Sequence, residues 1–138
     1  MKLAKLINAI AVFIFVFSIA LIGSSLPAVA ALSSYQLTCT DISISGNVLL
    51  GNCRKINGLF NKTSIALKGI ENIDGTLKVL DPSKTANFNL TCQGTTVNGD
   101  QLSSSCRTRD QRLVSTKTSI NGIENIDGVL KYTSSPAA

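Results

Sequence analysis

The chain contains the same unit twice. Residues 35–79 and 88–132 align without a gap at a constant offset of 53 residues, and 17 of the 45 aligned positions are identical. The longest shared run is Gly-Ile-Glu-Asn-Ile-Asp-Gly, which begins at Gly69 in the first copy and at Gly122 in the second. A unit of this size is too small to bury a good core alone. We therefore expect the two copies to pool their apolar residues in one intertwined, pseudo-symmetric domain.

The period of the apolar residues is typical of short strands. Ile42 and Ile44 alternate with polar neighbours, and a period of two indicates a half-buried strand. The Asp-Gly dipeptides at 74–75 and 127–128 are those preferred by two-residue hairpin turns, because both positions of such a turn need positive φ angles. The sequence thus predicts an all-β domain of short antiparallel strands and hairpins. Its one helical candidate is a turn within residues 107–114.

The four cysteines repeat with the unit. Cys39 and Cys53 are 14 residues apart, and Cys92 and Cys106 have the same separation. Four cysteines allow more than one pairing, but one local bridge per copy preserves the duplication. A zinc site is the alternative, although zinc ligands usually come in more closely spaced pairs. We expect the disulfides Cys39–Cys53 and Cys92–Cys106.

The stretch between the two copies is short and polar. Residues 80–87 contain Pro82, and this composition is typical of a linker. The tail, residues 133–138, is expected to be loose. A hinge in such a linker lets the copies pair within one chain or between two chains. We expect one domain over residues 32–138, as a monomer or a domain-swapped dimer.

The first 31 residues have the character of an export signal. Lys2 and Lys5 precede a mostly apolar run over residues 6–22, and small residues occupy positions 28–30. A basic start, an apolar stretch and small residues before a cleavage site are the parts of a secretory signal peptide. An uncleaved anchor is the alternative, although the run is shorter than the roughly 20 residues that span a bilayer. We expect residues 1–31 to be removed and the protein to be secreted or periplasmic, with no stable membrane insertion.

Composition excludes several classes of function. The chain contains no histidine, which excludes histidine-based acid–base catalysis, a Ser-His-Asp triad and the usual catalytic zinc sites. Loss of Lys2 and Lys5 with the export signal lowers the formal charge from +5 to +3. This charge is modest, and few aromatic residues are present to stack bases. We expect no nucleic-acid partner.

These features together resemble the cyanovirin-N homologue family. The resemblance rests on the two copies with one local cystine each, on the repeated Glu-Asn-Ile-Asp-Gly-x-Leu-Lys hairpin, and on the runs Cys-Arg-Thr-Arg-Asp-Gln from Cys106 and Val-Ser-Thr-Lys from Val114. It covers residues 32–132. The resemblance implies a lectin that binds oligomannose glycans, above all α1,2-linked mannose, without a metal, another cofactor or catalysis. In this family the two halves exchange segments, and a sugar pocket can lie at each far end.

The resemblance assigns the main carbohydrate pocket to the hairpin of the first copy, the linker and the second copy. Its residues would be Glu71, Asn72, Asp74, Ser83, Asn87, Thr91, Arg107, Thr108, Arg109 and Gln111. The hydroxyls of a pyranose both donate and accept hydrogen bonds, and carboxylate, amide, hydroxyl and guanidinium groups can pair with them in both ways. We expect Arg109 to act as a clamp, since its planar guanidinium can lie over the sugar ring.

The second pocket implied by the resemblance departs from the family pattern. Its residues would be Leu32, Thr38, Arg54, Ile56, Asn57, Asn125, Ile126 and Asp127. Arg54 replaces an acidic residue of that pattern, Ile56 a threonine and Leu37 a glutamine. Because these replacements remove acceptors and hydroxyls, we expect the main pocket to dominate.

Two other functions compete with sugar binding. Glu71 with Asp74, repeated as Glu124 with Asp127, could be the paired carboxylates of a glycosidase. Such an enzyme needs an acid of raised pKa and a second carboxylate at a defined distance across one bond, and a symmetric pair beside hairpin turns fits binding better. We therefore expect no enzyme. A secreted, cystine-stabilised inhibitor or antimicrobial defence protein is the other alternative.

Overall fold

The computed structural model describes residues 31–136, which form ten strands and two short 3₁₀ turns. The strands are β1 (Cys39–Ser45), β2 (Val48–Arg54), β3 (Phe60–Ala66), β4 (Ile70–Ile73), β5 (Thr76–Val79), β6 (Cys92–Asn98), β7 (Gln101–Arg107), β8 (Leu113–Ser119), β9 (Ile123–Ile126) and β10 (Val129–Tyr132). The 3₁₀ turns are Tyr35–Leu37 and Phe88–Leu90. Except for Ala31, the predicted export signal lies outside the described residues. The predicted all-β class is confirmed, and within the described range no helix has the length and apolar character needed to cross a membrane.

Each copy folds into the same two pieces. The first copy forms the antiparallel sheet β1-β2-β3 and the hairpin β4-β5, and the second forms β6-β7-β8 and β9-β10. Both predicted Asp-Gly hairpins are present, with φ of 51° at Asp74 and 84° at Gly75, as a type I′ turn requires. A Cβ atom at Gly75 would also lie 2.6 Å from Val114 Cγ2. Glycine is therefore needed there both for the backbone conformation and for the close approach. The β7-β8 connection is an irregular loop, so the predicted helical turn is not formed.

Each hairpin packs on the sheet of the other copy. Leu77 of β5 donates its amide to Thr116 Oγ1 of β8 at 3.0 Å. Leu130 of β10 makes the equivalent bond to Thr63 Oγ1 of β3 at 3.2 Å. The intertwined arrangement predicted from the size of the repeat is thus confirmed.

The backbone of Gly69 binds two residues of the linker. Its carbonyl accepts a hydrogen bond from the amide of Leu80 at 2.9 Å, and its own amide donates to the carbonyl of Lys84 at 2.8 Å. The linker over residues 80–87 is therefore tied to Gly69 at its first residue and near its middle.

Gly122 has the same position in the second copy. Its amide donates to the carbonyl of Ala31 at 2.9 Å, and its carbonyl accepts from the amide of Thr133 at 2.8 Å. The segment that enters the first copy and the segment that leaves the second therefore meet at one glycine. The looseness predicted for residues 133–138 stays a prediction.

One core serves both copies. Its large side chains come in pairs at the offset of the duplication: Tyr35 with Phe88, Leu49 with Leu102, Leu67 with Ile120, Ile70 with Ile123, and Leu77 with Leu130. The Tyr35 hydroxyl donates to the carbonyl of Gly99 at 2.6 Å. Burial raises the pKa of this phenol well above its usual value, so the hydroxyl remains a donor. The copies thus share a single apolar interior.

One disulfide joins the first two strands of each three-stranded sheet. The bond Cys39–Cys53 joins β1 to β2, and Cys92–Cys106 joins β6 to β7. Both predicted bridges are confirmed, which excludes a zinc site made of the four cysteines. Across residues 31–136, no three His, Cys, Asp or Glu side chains are grouped so as to hold a metal ion.

Candidate carbohydrate-binding site

Asn72 connects three segments where the first hairpin meets the sheet of the second copy. Its Nδ2 donates to Thr91 Oγ1 at 2.9 Å and to the carbonyl oxygen of Arg107 at 2.8 Å. Its Oδ1 accepts from the amide of Gly75 at 2.8 Å. The side-chain amide thereby uses both its donor and its acceptor groups. This one residue fixes the hairpin turn against the end of β7.

The β7-β8 loop, residues 108–112, is fixed to the same turn. Asp74 Oδ1 accepts from the amide of Arg109 at 2.8 Å. Within the loop, the amide of Thr108 donates to the carbonyl of Arg112 at 2.8 Å, and the amide of Gln111 donates to the carbonyl of Thr108 at 3.0 Å. The loop backbone is therefore held from two sides, and it presents its side chains from an ordered frame.

These bonds frame a hollow of about 300 Å³. Its lining residues are Asn72, Ile73, Asp74, Thr91, Arg107, Thr108, Arg109 and Gln111. All except Ile73 were assigned to the main pocket by the family resemblance. Ile73 was missed because an apolar strand residue carries no polar signal, although the duplication equates it with Ile126 of the second predicted pocket. An adjoining hollow of about 390 Å³ shares Asp74 and Thr108.

Three residues predicted for the main pocket do not line this hollow. Glu71 stands opposite Lys78 across the hairpin β4-β5. The Ser83 hydroxyl donates to Asp81 Oδ1 inside the linker at 2.5 Å. Asn87 directly precedes the second 3₁₀ turn. The roles of these three residues in binding stay predictions.

The charged groups of the loop are unequally engaged. The Asp110 carboxylate accepts from the Thr108 hydroxyl and from Arg112 Nε. The Thr108 hydroxyl, assisted by Arg112, holds the pKa of the Asp110 carboxyl below its usual value. Arg107 Nη1 donates to Gln111 Oε1 at 3.1 Å. None of the side-chain hydrogen bonds found among residues 31–136 uses the Arg109 guanidinium, which leaves it available to a ligand.

The other copy repeats this framework at the second predicted pocket. Asn125 Nδ2 donates to Thr38 Oγ1 at 2.9 Å and to the carbonyl of Arg54 at 2.8 Å. Asp127 Oδ1 accepts from the amide of Ile56 at 2.9 Å. The backbone frame of the two sites is therefore the same, and any difference between them lies in the side chains that they present.

This second site exposes two isoleucine side chains. Ile56 is 92% exposed and Ile126 is 43% exposed. Asn57 turns its Oδ1 back into the loop, where it accepts from the amide of Leu59 at 3.0 Å. Leu32 pairs with Asn121, at the end of the second hairpin that lies away from its Asp-Gly turn. The structure thus brings together most of the predicted residues and leaves Leu32 apart.

Gln111 has a backbone conformation that favours glycine. Its φ is +69°, and the equivalent residue of the first copy, Gly58, has φ of +84°. A left-handed conformation costs a residue with a side chain on the order of 1 kcal/mol or more, and it costs glycine almost nothing. The second copy therefore retains strain at a position where the side chain lines the hollow.

We expect Gln111→Gly to raise the free energy of unfolding by about 1 kcal/mol, because it relieves this backbone strain. Unfolding in urea measures the change. Gly58→Gln is the mirror control, since a Cβ atom there meets nothing within 4 Å, and it should lower stability by a similar amount. Changes of the same sign in both variants would contradict the explanation.

Comparisons with known proteins place the chain in a set of related structures. Residues 35–131 match the family model of the CVNH domain. Microvirin in complex with mannobiose is 29% identical, with a TM-score of 0.58 over 73% of this chain and 99% of that one. The CVNH protein of T. borchii is 22% identical, with a TM-score of 0.61 over 72% and 99% of the two chains. An MoCVNH3 variant in complex with (N-GlcNAc)4 is 14% identical, with a TM-score of 0.61 over 72% and 97%.

Proposed function

This chain belongs to the CVNH family, and on that basis we propose that it is a lectin that binds mannose-rich glycans in the hollow around Asn72. The observation that carries the proposal is the set of groups around that hollow, which combines side-chain amide, carboxylate, hydroxyl and guanidinium. Neighbouring sugar hydroxyls need both donors and acceptors, and this set supplies both without a metal. Binding by such groups involves no bond cleavage, so we propose a binding protein and no enzyme.

The proposed ligand is α1,2-linked mannose. Microvirin, whose complex contains mannobiose, is 29% identical to this chain, whereas the relative bound to (N-GlcNAc)4 is 14% identical. The proposal therefore favours mannose over N-acetylglucosamine. Both sugars serve as arms of the binding experiment.

One pocket is proposed to dominate. At the position of Arg109 the other copy has Ile56, and at the position of Thr108 it has Lys55. An isoleucine can neither donate to nor accept from a sugar hydroxyl. The second site therefore keeps its frame but loses the group that we propose as the clamp.

A titration of the oxidised, isotope-labelled chain from residue 32 onward with α1,2-linked dimannose tests the proposal by backbone amide NMR. We expect saturating shifts at Asn72, Asp74 and residues 107–111, and smaller or no shifts at residues 125–127. Stronger shifts with the N-acetylglucosamine tetramer would change the proposed ligand. If neither sugar causes amide shifts, the lectin proposal is overturned.

Arg109→Ala is expected to raise the Kd for dimannose by roughly tenfold to a hundredfold, as loss of a hydrogen bond from a charged group implies. The thermal midpoint should change little, because the Asp74 carboxylate accepts from the backbone amide of Arg109. Calorimetric titration measures the affinity. Lys117→Ala, which removes an exposed cation on β8, is the control for the loss of charge alone. An equal loss in both variants would contradict the role of Arg109.

We also propose that the protein acts outside the cytoplasm, as the basic and apolar pattern of residues 1–31 favours. The N-terminal sequence of the protein recovered from the medium or periplasm of the expressing cell would test this. The oligomeric state, which we propose to be a monomer or a domain-swapped dimer, can be measured on the same sample by sedimentation.

A further inference from the structure

Four large apolar side chains are exposed at the end of the first copy. They come from the 3₁₀ turn and from the β2-β3 loop with the start of β3, and their exposed fractions are 80% for Leu37, 92% for Ile56, 65% for Leu59 and 48% for Phe60. The amide of Arg54 donates to the carbonyl of Thr38 at 2.9 Å, which brings Leu37 to the same end as the loop. We call these four residues the apolar tip. Exposed apolar clusters of this kind mark interaction sites.

The apolar tip is held outward by ordered backbone. In the loop, the amide of Lys55 donates to the carbonyl of Leu59 at 2.7 Å, and the amide of Gly58 donates to the carbonyl of Lys55 at 3.0 Å. The amide of Ile56 is bound to Asp127 Oδ1 at 2.9 Å. The exposure of these side chains is thus a property of the folded loop and not of frayed chain.

The fold itself does not require an apolar tip. The equivalent loop of the second copy has the same internal bonds, yet it places Arg109 where the first copy has Ile56, and Arg112 where the first copy has Leu59. One loop frame therefore carries guanidinium groups in one copy and hydrocarbon in the other. Leu37 and Phe60 have exposed apolar equivalents in the second copy, Leu90 at 79% and Leu113 at 48%. Ile56 and Leu59 are therefore the residues that distinguish the first copy.

Cationic side chains flank the tip. Arg54, Lys55 and Lys62 lie on either side of the exposed apolar residues, and the segment 54–62 contains no acidic residue. The Arg54 guanidinium lies 5.7 Å from the centroid of the Phe60 ring, within the range of a cation–π contact. The Asp127 carboxylate, which accepts from the amide of Ile56, places one acidic group beside these three cations. The tip thus combines exposed hydrocarbon with a positive border.

We propose that the apolar tip docks on the surface of an anionic lipid bilayer. Ile56 is 92% exposed, so its side chain stands out from the loop and can insert into another surface. An anionic bilayer offers hydrocarbon beneath negatively charged headgroups, which matches apolar side chains bordered by Arg and Lys. The contact is peripheral and inserts no strand or helix. It leaves the hollow around Asn72 free for its own ligand.

Vesicle sedimentation of the chain from residue 32 onward, with its disulfides intact, tests the proposal. We expect binding to vesicles of phosphatidylcholine mixed with phosphatidylglycerol to exceed binding to phosphatidylcholine alone by roughly tenfold or more. Ile56→Ser should weaken binding to the mixed vesicles by roughly tenfold or more, because it removes inserted hydrocarbon. Lys62→Ser, which copies Ser115 of the second copy, should weaken it by roughly fivefold.

The two copies supply a matched control. Leu37 and Leu90 are equivalent positions with exposed fractions of 80% and 79%. Leu37→Ser should reduce vesicle binding and Leu90→Ser should not. Equal effects in the two variants would overturn the assignment to the apolar tip, and unchanged circular dichroism spectra show that both variants are folded.

Fluorescence locates the contact directly, because the natural chain contains no tryptophan. The emission of Ile56→Trp should shift to the blue on addition of mixed vesicles, while that of Leu90→Trp should not. An unshifted Ile56→Trp spectrum overturns the proposal, as does vesicle binding that Ile56→Ser leaves intact. Concentration-dependent dimers that Ile56→Ser abolishes would also overturn it, since the tip would then be covered by a second copy.

Discussion

Asn72→Ala is expected to weaken binding of α1,2-linked dimannose by roughly a hundredfold or more. The substitution removes three hydrogen bonds, to Thr91, Arg107 and Gly75, that position the lining of the hollow, so the loss of affinity comes from a misplaced site. Without them the hairpin turn is no longer fixed to the end of β7, and the hollow loses its frame. Calorimetric titration or amide NMR measures the affinity.

The matched control is Asn125→Ala in the other copy. Asn125 donates to Thr38 and to the carbonyl of Arg54 and accepts from Gly128, so the same three bonds are lost. We expect both variants to lower the free energy of unfolding by about 2 kcal/mol, because the bonds are partly exposed. Only Asn72→Ala should lose sugar binding strongly. Equal losses of binding would contradict one dominant pocket, and unchanged binding in both would exclude this hollow as the site.

Removal of either disulfide is expected to lower the free energy of unfolding by about 3 kcal/mol. Each bridge spans 14 residues of sequence, and the entropy of closing such a loop in the unfolded chain gives this magnitude. The double variants Cys39→Ser with Cys53→Ser and Cys92→Ser with Cys106→Ser should lose similar amounts, since the two loops have the same length. Urea unfolding under oxidising conditions measures both.

The two disulfide variants should differ in sugar binding. Cys92 follows Thr91 and Cys106 precedes Arg107, and these two neighbours are the partners of Asn72. Loss of this bridge therefore loosens the hollow, and we expect dimannose affinity to fall even where the variant remains folded. The variant without Cys39–Cys53 should retain it. If both variants lose affinity equally, the effect is one of global stability and not of the site.

The duplication made much of the fold predictable. Because the two copies share one fold, the offset of 53 residues predicted the disulfide pairing, the two Asp-Gly hairpins and the pooling of apolar residues. The same comparison within the sequence also paired Tyr35 with Phe88 in advance, and both are fully buried. In a repeat, the residue at the equivalent position of the other copy thus gives a second indication of the environment of each residue.

Other features could not be predicted from side-chain patterns. Strand pairing shifts register between Thr40 and Ser43, and Asp41 in this shift has φ of +53°. Alternation of apolar residues reports which face a side chain takes, but it carries no information on backbone handedness. The positive φ of Gln111 could not be predicted for the same reason, since it too is a matter of backbone handedness. Hydropathy also gives no reason to expose Ile56, because the position of a residue in a convex loop is set by tertiary structure.

The exchange of hairpins between the two copies has a consequence for how the two ends could diverge. A single copy could bury its hairpin only on the sheet of a second identical chain, so it would exist as a symmetric homodimer whose stability depended on protein concentration. In such a dimer every substitution appears at both ends. The linker anchored at Gly69 makes the association intramolecular, at a fixed effective concentration. With both halves in one polypeptide, a substitution at one end is not copied at the other, and here one end carries Arg109 and Arg112 where the other carries Ile56 and Leu59.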